Sequence, residues 1–416
     1  MRVLAICPHF VPDTAPTGTV MTRLADELRE LGVDMEVVTS LPWYQDHRVE
    51  PGWGGRLVRR EHQPGRNITR LHPFPTDKSN ILARAAAFGA FTAEAMAWSV
   101  ATGRRPDVVF AMSPPLTLGT AGWLAARRWR APLVFNIQDV FPDVAVATRA
   151  ITNERVINAA RALERFTYRR SAAVTVLSED LAANVRGKLG RSVTDAGTGP
   201  TVRVIPNFVD VAAMRPSSRA NSYRDDFDLG DRTVVMYAGN VGWSQPLDLV
   251  IDAAERRRDR DDVVFVVNGG GAALADLRAR AGRLDNVRFV DFQPAERLPD
   301  VLAAADVHLV LLRRGLARAS VPSKLYSILA AGRPVLAAVD PGTEVERTIA
   351  DAGAGRAVAP DDGAAFERAL DELVDDADRR ETMGAAGRRF VEQWHSPGAV
   401  AHEYFDLFTE LLAARR

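Results

Sequence analysis

Short β-branched apolar runs alternate with longer helical patterns from one end of this 416-residue chain to the other. That alternation constrains the fold more than any other feature, because it is the signature of parallel strands joined by covering helices. In the first half the runs are RVLAIC at 2, MEVVTS at 35, ITRLHPF at 68, DVVFAM at 107, PLVFNI at 132, AAVTVLS at 172 and VRVIPN at 202. In the second half they are TVVMYAG at 233, VVFVVNGG at 263, VRFVDF at 287, VHLVLL at 307, RPVLAAV at 333 and GRAVAP at 355. Thirteen runs are too many for one ordinary sheet, and the chain is too long for one ordinary core. The expectation is an α/β protein of two doubly wound parallel-sheet domains, with ligands at the carboxyl ends of the strands and a cleft between the domains.

The stretch 206–232 is polar and turn-rich, with two prolines and no sustained period, and reads as a linker. It divides an amino-terminal domain, 1–205, from a second domain, 206–395. A last helix, from about Pro397 to Leu412, has no strand after it and carries Tyr404, Phe405, Phe408 and Leu411 on one stripe. Residues 396–416 are therefore expected to pack back on the first domain.

Fifty-three basic and 53 acidic side chains cancel, which removes a global electrostatic argument for nucleic-acid binding. The single cysteine, Cys7, falls in the first apolar run and reads as a buried strand residue, so a reducing cytoplasm fits. The seven histidines form no ligand-spaced cluster, and neither a metal nor a cofactor is expected. The apolar run before Pro8 and His9 is too short for a signal-peptide core. The stretch from Ile81 is interrupted by Arg84 and Glu94, and reads as a helix packed on protein or lying on a membrane surface rather than spanning one.

Four turns between a strand and a helix carry small or polar residues suited to a polyphosphate. PHFVPDTAPTGTV, 8–20, brings Gly18 and its threonines to a helix expected to begin near Val20. YAGNVGWSQPLDL places Gly239, Asn240 and Gly242 directly after a strand, and NGGGAALADL leaves Gly269, Gly270 and Gly271 at a strand end. Neither half has G-x-G-x-x-G after its first strand with an acid about 20 residues on, which disfavours a nicotinamide or flavin enzyme. The fourth turn is SVPSKLYSILAAGRPV. Pro322 suits a first helical turn, Ser320 or Ser323 can cap it, and Lys324 stands against the helix dipole, which a bound diphosphate would reverse into an attraction. Arg313, Arg314 and Arg318 add positive charge just upstream.

In order along the chain, FVPD, SPPLTLGTAGWLAARRWRAPLVFNIQDVFPD, VTVLSEDLA, VIPNFVD, YAGNVGWSQPLDLVIDAA, NVRFVDF, LAAADVHLVLL and VPSKLYSILAAGRPVLAAV resemble the family 4 retaining glycosyltransferases of the GT-B fold. Within them the chain looks most like the bacterial branch that builds O-antigen, colanic acid and other exopolysaccharides, fucosaminyltransferase-type enzymes included. The resemblance implies a nucleoside-diphosphate sugar, a UDP-sugar first, held mostly by the second domain. It implies an acceptor held mostly by the first, and leaving-group charge stabilised by cationic side chains and helix N-termini without a metal. On these positions the donor contacts fall to Gly18, Asn240, Gly242, Gln245, Gly269, Gly270, Arg313, Ser323, Lys324 and Ser327. Lys324 and Asp139 would act at the reacting centre. The glutamates that many members carry fall here on Ala319 and Ser327, and the usual basic residue of the GN loop falls near Gln245, which leaves more of the diphosphate to Lys324.

Asp143 is open to two readings, a helix cap or an acceptor contact. The segment 41–70 mixes Trp43, Tyr44 and Trp53 with arginines, and Lys78 and Arg84 continue the positive edge. With His9, these residues suit either a lipid-linked pyrophosphate acceptor at a membrane surface, with the enzyme peripheral to the inner face of the plasma membrane, or a solvated loop beside a small glycoside acceptor. Three classes stay open: the transferase, acting on a polysaccharide intermediate or on a soluble natural-product acceptor, a GT-B sugar-nucleotide epimerase, and a sugar-nucleotide-binding module without catalysis.

Overall fold

The computed structural model of the protein describes residues 1–44, 47–76, 81–101, 104–147, 150–190, 199–316, 322 and 324–415. Its chain contacts divide it into two units, Met1–Asn207 with Pro397–Arg416, and Phe208–Ser396.

In the first unit the strands are β1 (Arg2–Ile6), β2 (Asp34–Ser40), β3 (Val58–Gln63), β4 (Arg66–Leu71), β5 (Val108–Ser113), β6 (Leu133–Ile137), β7 (Ala173–Val176) and β8 (Thr201–Val204). They form one sheet in the order β3-β4-β2-β1-β5-β6-β7-β8. Every pairing is parallel except β3 with β4, a hairpin across Pro64 and Gly65. The central strands β5 and β6 are buried at every position, which requires helices on both faces and explains their unbroken apolar sequences. β3 is different: VRREHQ has one apolar residue and lies partly exposed at the sheet edge, so no apolar run marks it in the sequence.

The second unit holds β9 (Thr233–Ala238), β10 (Val263–Asn268), β11 (Val287–Val290), β12 (Val307–Leu311), β13 (Val335–Ala338) and β14 (Gly355–Val358). All pair in parallel, in the order β11-β10-β9-β12-β13-β14. Strands β9, β10 and β12 carry the core, with Val235, Tyr237, Phe265, Val267 and Leu309 fully buried between the helices.

Residues 208–232 are not a free linker. The helix Ser222–Asp226 buries Tyr223 and Arg224, and Leu229 follows them into the core. Arg224 donates to the buried Asp306 at 2.6 Å and to the carbonyl of Ala304 at 2.9 Å, while Tyr223 donates to Asn268 at 2.7 Å. A polar sequence is held inside because each polar group finds a partner there.

The helix Pro397–Ala413 belongs to the first unit. Its buried stripe is Val400, Ala401, Tyr404, Leu407 and Phe408, with Phe405 and Leu411 at the margin. Tyr404 lies edge-on to Phe110 of β5 at 5.2 Å, and its hydroxyl accepts from Asn136 of β6 at 2.9 Å. Among the described residues no helix is long and apolar enough to cross a membrane.

Candidate active site

In each sheet the strand order reverses once beside the first strand, between β1 and β5 in one and between β9 and β12 in the other. Doubly wound sheets bind ligands outside the carboxyl ends of the strands at such a reversal, where the loops leaving neighbouring strands run to opposite faces.

In the second unit, β9 runs into Gly239, Asn240, Val241 and Gly242, and β12 runs into residues 312–316. Arg313 N donates to the carbonyl of Ser244 at 2.9 Å and ties the two loops together, while its side chain is exposed. The helix Lys324–Ala330 follows, anchored by the buried Leu325, Tyr326, Ile328 and Leu329. Its first residue reaches across: Lys324 Nζ stands 3.6 Å from the centroid of the Tyr237 ring. A Cβ on Gly239 would lie 3.0 Å from the same nitrogen, so glycine is what leaves room for it, at a φ of 139° that other residues rarely adopt. The residue as a whole is partly exposed, but Nζ is buried and has no hydrogen-bond partner among the described residues. Burial pushes its pKa down to about 7 from an ordinary 10.5. Among the described residues the face of Tyr237 is what the ammonium meets, a weak attraction compared with a carboxylate. A cation held this way is an incomplete site, and a diphosphate oxygen would complete it.

The neighbouring loops show what their glycines do. Gly239 N donates to Asn268 O at 2.9 Å, and Val241 N to Gly270 O at 2.9 Å. A Cβ on Gly269 would fall 1.9 Å from the carbonyl oxygen of Gly239, and one on Gly271 would fall 2.4 Å from that of Val241. Gly269 and Gly271 thus let two loop backbones touch, a packing reason the sequence reading did not supply, whereas Gly270 stays partly open. Gln245 turns its side-chain oxygen back onto Gly242 N at 3.1 Å, so only its amide nitrogen faces outward. Asn240 is exposed and Ser327 is half-buried. Arg314 is engaged by Asp361. Ser323, Arg318, Ser320 and Ala319 lie outside the described residues.

Two aromatic residues were not singled out in the sequence. Phe292, just past β11, is 62% exposed and stands 3.4 Å from a Cβ built on Gly270, and Trp243, in the GN loop, is 54% exposed. A large aromatic immediately after a strand or glycine turn was the available signal. Such exposed faces on the glycine-rich loops suit a planar base.

In the first unit, residues 7–15 lead from β1 into a helix that begins at Pro16, four residues earlier than the spacing predicts. Gly18 therefore sits inside the first turn, and its missing Cβ lets the helix pass the His9 loop at 3.0 Å. His9 Nδ1 is bound to Asp13 Oδ2 at 2.7 Å, and the buried Asp13 also accepts from Tyr44 N at 3.1 Å. The His9 ring lies 5.8 Å from Trp43 and 5.3 Å from Tyr44. Arg70, wholly buried, donates to the carbonyls of Phe10 and Val11 and pairs with Glu61, which braces the loop from β4. With Nδ1 committed to a carboxylate, the imidazole presents Nε2 as its remaining polar atom.

Asp139 follows β6, half-buried. Beside it, Gln138 donates to Asn136 at 2.8 Å and accepts from Asn207 at 2.7 Å, in a buried chain that reaches Tyr404. Asp143, the first residue of the short helix Asp143–Ala147, is tied through one carboxylate oxygen. It pairs with Lys188 at 2.8 Å and accepts from Asn184 at 3.0 Å, while Lys188 also holds the buried Glu164 at 2.6 Å. Lys78 lies outside the described residues. Arg84 is in the helix Ile81–Ala101, its side chain likewise outside them.

Residues 17–207 match the family described as glycosyl transferase 4-like domain, and residues 221–390 match that described as glycosyl transferases group 1. The chain belongs to the family 4 glycosyltransferases of GT-B fold. A relative of this glycosyltransferase is the colanic acid biosynthesis glycosyl transferase WcaI of Escherichia coli K12, 26% identical over 83% of this chain and 85% of that one. Sucrose-phosphate synthase of Thermosynechococcus elongatus shares its fold, with a TM-score of 0.77 at 17% identity over 100% of both chains. So does the HepE protein of Anabaena, solved with UDP and glucose, with a TM-score of 0.72 at 14% identity over 99% of this chain and 100% of that one.

Proposed function

We propose that this glycosyltransferase moves a sugar, with retention at the anomeric carbon, from a nucleoside-diphosphate sugar to an acceptor hydroxyl in the building of a cell-surface polysaccharide or glycoconjugate. The observation that carries the donor class is Lys324: a buried ammonium with no hydrogen-bond partner among the described residues, at the switch point of the second sheet, over a glycine that leaves it room. An arriving diphosphate restores the charge partner that folding withheld and stabilises the negative charge that grows on the leaving oxygen. The reading draws this stabilisation from Lys324 and needs no metal. A UDP donor is supported by HepE, solved with UDP and glucose, and the polysaccharide context by the name of WcaI.

On the acceptor side, His9 Nε2 receives the hydrogen bond of an acceptor hydroxyl next to the attacking one, with Trp43 and Tyr44 beside the sugar ring. The attacking hydroxyl passes its own proton to the leaving phosphate oxygen on the same face, so the imidazole orients the acceptor and takes no proton from the nucleophile. Asp139 stands near the transferred sugar. At the sheet edge, Trp53 and Trp98 with Arg56, Arg59 and Arg60 line a pocket of about 840 Å³, with Arg60 4.4 Å over Trp98 and Arg59 5.2 Å over Trp53. Apolar rings rimmed by guanidinium groups support a lipid-linked acceptor and peripheral membrane binding.

The decisive experiment incubates the protein with UDP-, GDP- and dTDP-sugars and follows nucleoside diphosphate release with and without acceptor. Release from one donor class, with the α-anomer retained, is the expected result. Tight donor binding with no release from any donor would sink the catalytic reading.

A further inference from the structure

The second sheet has a further charged pocket, at the ends of its strands opposite the loops described above. Asp306 stands immediately before β12, and Arg333 and Pro334 stand immediately before β13. Strands of this length set the two ends about 15 Å apart, so the pocket is separate from Lys324 and Gly239. Its volume is about 530 Å³, enough for a small phosphorylated molecule, and Arg219, Arg333, Arg380 and Arg388 line it with Asp306 and Glu381.

These four guanidinium groups are not equally committed. Arg388 donates to the carbonyls of Val211, Met214 and Ala330 and pairs with Glu392. Arg219 pairs with Asp306, whose other oxygen is taken by Arg224. Asp306 is thus saturated by two arginines and has nothing left for a third. Among the described residues Arg333 has no carboxylate partner: one terminal nitrogen donates to Ser217 O at 3.0 Å, and its buried Nε meets no acceptor among them. Burial lowers its pKa, and Asp306 offsets this only in part while Arg224 and Arg219 push it down further. Arg380 directs one nitrogen to the carbonyls of Leu373 and Val374, at 2.7 Å each, and pairs with no carboxylate among the described residues. Four cations against two carboxylates leave the lining with an excess of two positive charges.

A buried guanidinium N–H without an acceptor is a strong donor left unmade, and such groups are rare unless something fills the place. We propose that this pocket is an anion-binding site for a phosphoryl group carried on a small molecule, gripped by Arg333 and Arg380 and distinct from the site of the transferred sugar's donor. Glu381, at the rim, limits the site to a ligand that presents its charge inward to the arginines. A planar guanidinium matches two oxygens of one phosphoryl group at once, and a lining with two positive charges in excess answers a dianionic phosphoryl group more fully than a singly charged carboxylate.

The test titrates pyrophosphate calorimetrically, at low ionic strength, into the full-length Lys324→Ala variant, in which the donor loops have lost their buried cation. The expected result is saturable binding, weakened by about tenfold or more when Arg380→Gln is added. Arg333→Gln is expected to weaken it further, but that change also removes a tie to Ser217, so the partly exposed Arg380 is the primary variant. Absence of pyrophosphate binding to Lys324→Ala, or equal affinity with and without Arg380→Gln, would overturn the proposal.

Discussion

Lys324 Nζ and the ring of Tyr237 lie 3.6 Å apart, a cation resting on an aromatic face where a carboxylate would ordinarily stand. The two residues are 87 positions apart in the chain and meet because β9 and β12 are neighbours in the sheet. The arrangement leaves the ammonium desolvated and its charge unanswered, and the first two predictions rest on that.

Lys324→Ala should weaken nucleoside diphosphate binding by about 1.5 to 3 kcal/mol, the range for a hydrogen bond to a charged group. Calorimetric titration of UDP, GDP and dTDP checks it, and unchanged affinity for the preferred nucleotide would refute the assignment.

The depressed pKa of Lys324 has a direction in both folding and binding. Between about 7 and 10.5 the unfolded chain holds a proton that the folded protein has released, so this residue makes stability rise with pH across that window. Binding a diphosphate restores the charged form. Above pH 7 nucleoside diphosphate binding should therefore take up a proton and weaken as pH rises, by at most about tenfold per unit. The nucleotide's own terminal ionisation, near about pH 6, is complete by then. Titrations at pH 8.5 in buffers of different ionisation enthalpy should show the uptake in wild type and lose it in Lys324→Ala.

Gly269→Ala should destabilise the second unit by more than about 3 kcal/mol, because the new methyl would meet the Gly239 carbonyl at 1.9 Å and the backbone is held at a φ of 150°. Gly270→Ala, where the nearest atom is 3.4 Å away on an exposed ring, should cost less than about 1 kcal/mol. Urea unfolding of the two variants compares them directly.

Asp13→Asn should leave the fold intact and reduce transfer, since His9 loses the carboxylate that holds Nδ1 and orients Nε2. A loss of about 1.5 to 3 kcal/mol in kcat/KM for the acceptor is expected. Nucleoside diphosphate affinity should not change. An equal fall in both would assign the pair to loop stability.

Tyr404→Phe removes the hydroxyl that serves Asn136 inside the first unit. The buried amide is then left short of an acceptor, at about 1 to 3 kcal/mol, and thermal unfolding should begin earlier.

All thirteen apolar runs are strands in the structure, because buried parallel strands need continuous apolar sequence and local pattern carries that directly. β3 escaped because an edge strand is made by its pairing with β4, not by its own composition. The stretch after Phe208 looks like a linker for a related reason: Tyr223 and Arg224 find their partners, Asn268 and Asp306, far along the chain. At the site, local sequence marked the glycine turns and the odd position of Lys324, since both are local departures from helix and strand rules. It could not show that Lys324 points at Tyr237, that Gly269 serves a neighbouring backbone, or that Asp143 is held by Lys188. The elements, the two sheets and the residue types available for an anion follow from local pattern. Which of those residues keep an unanswered charge does not, because charge partners and desolvation depend on residues brought together through space.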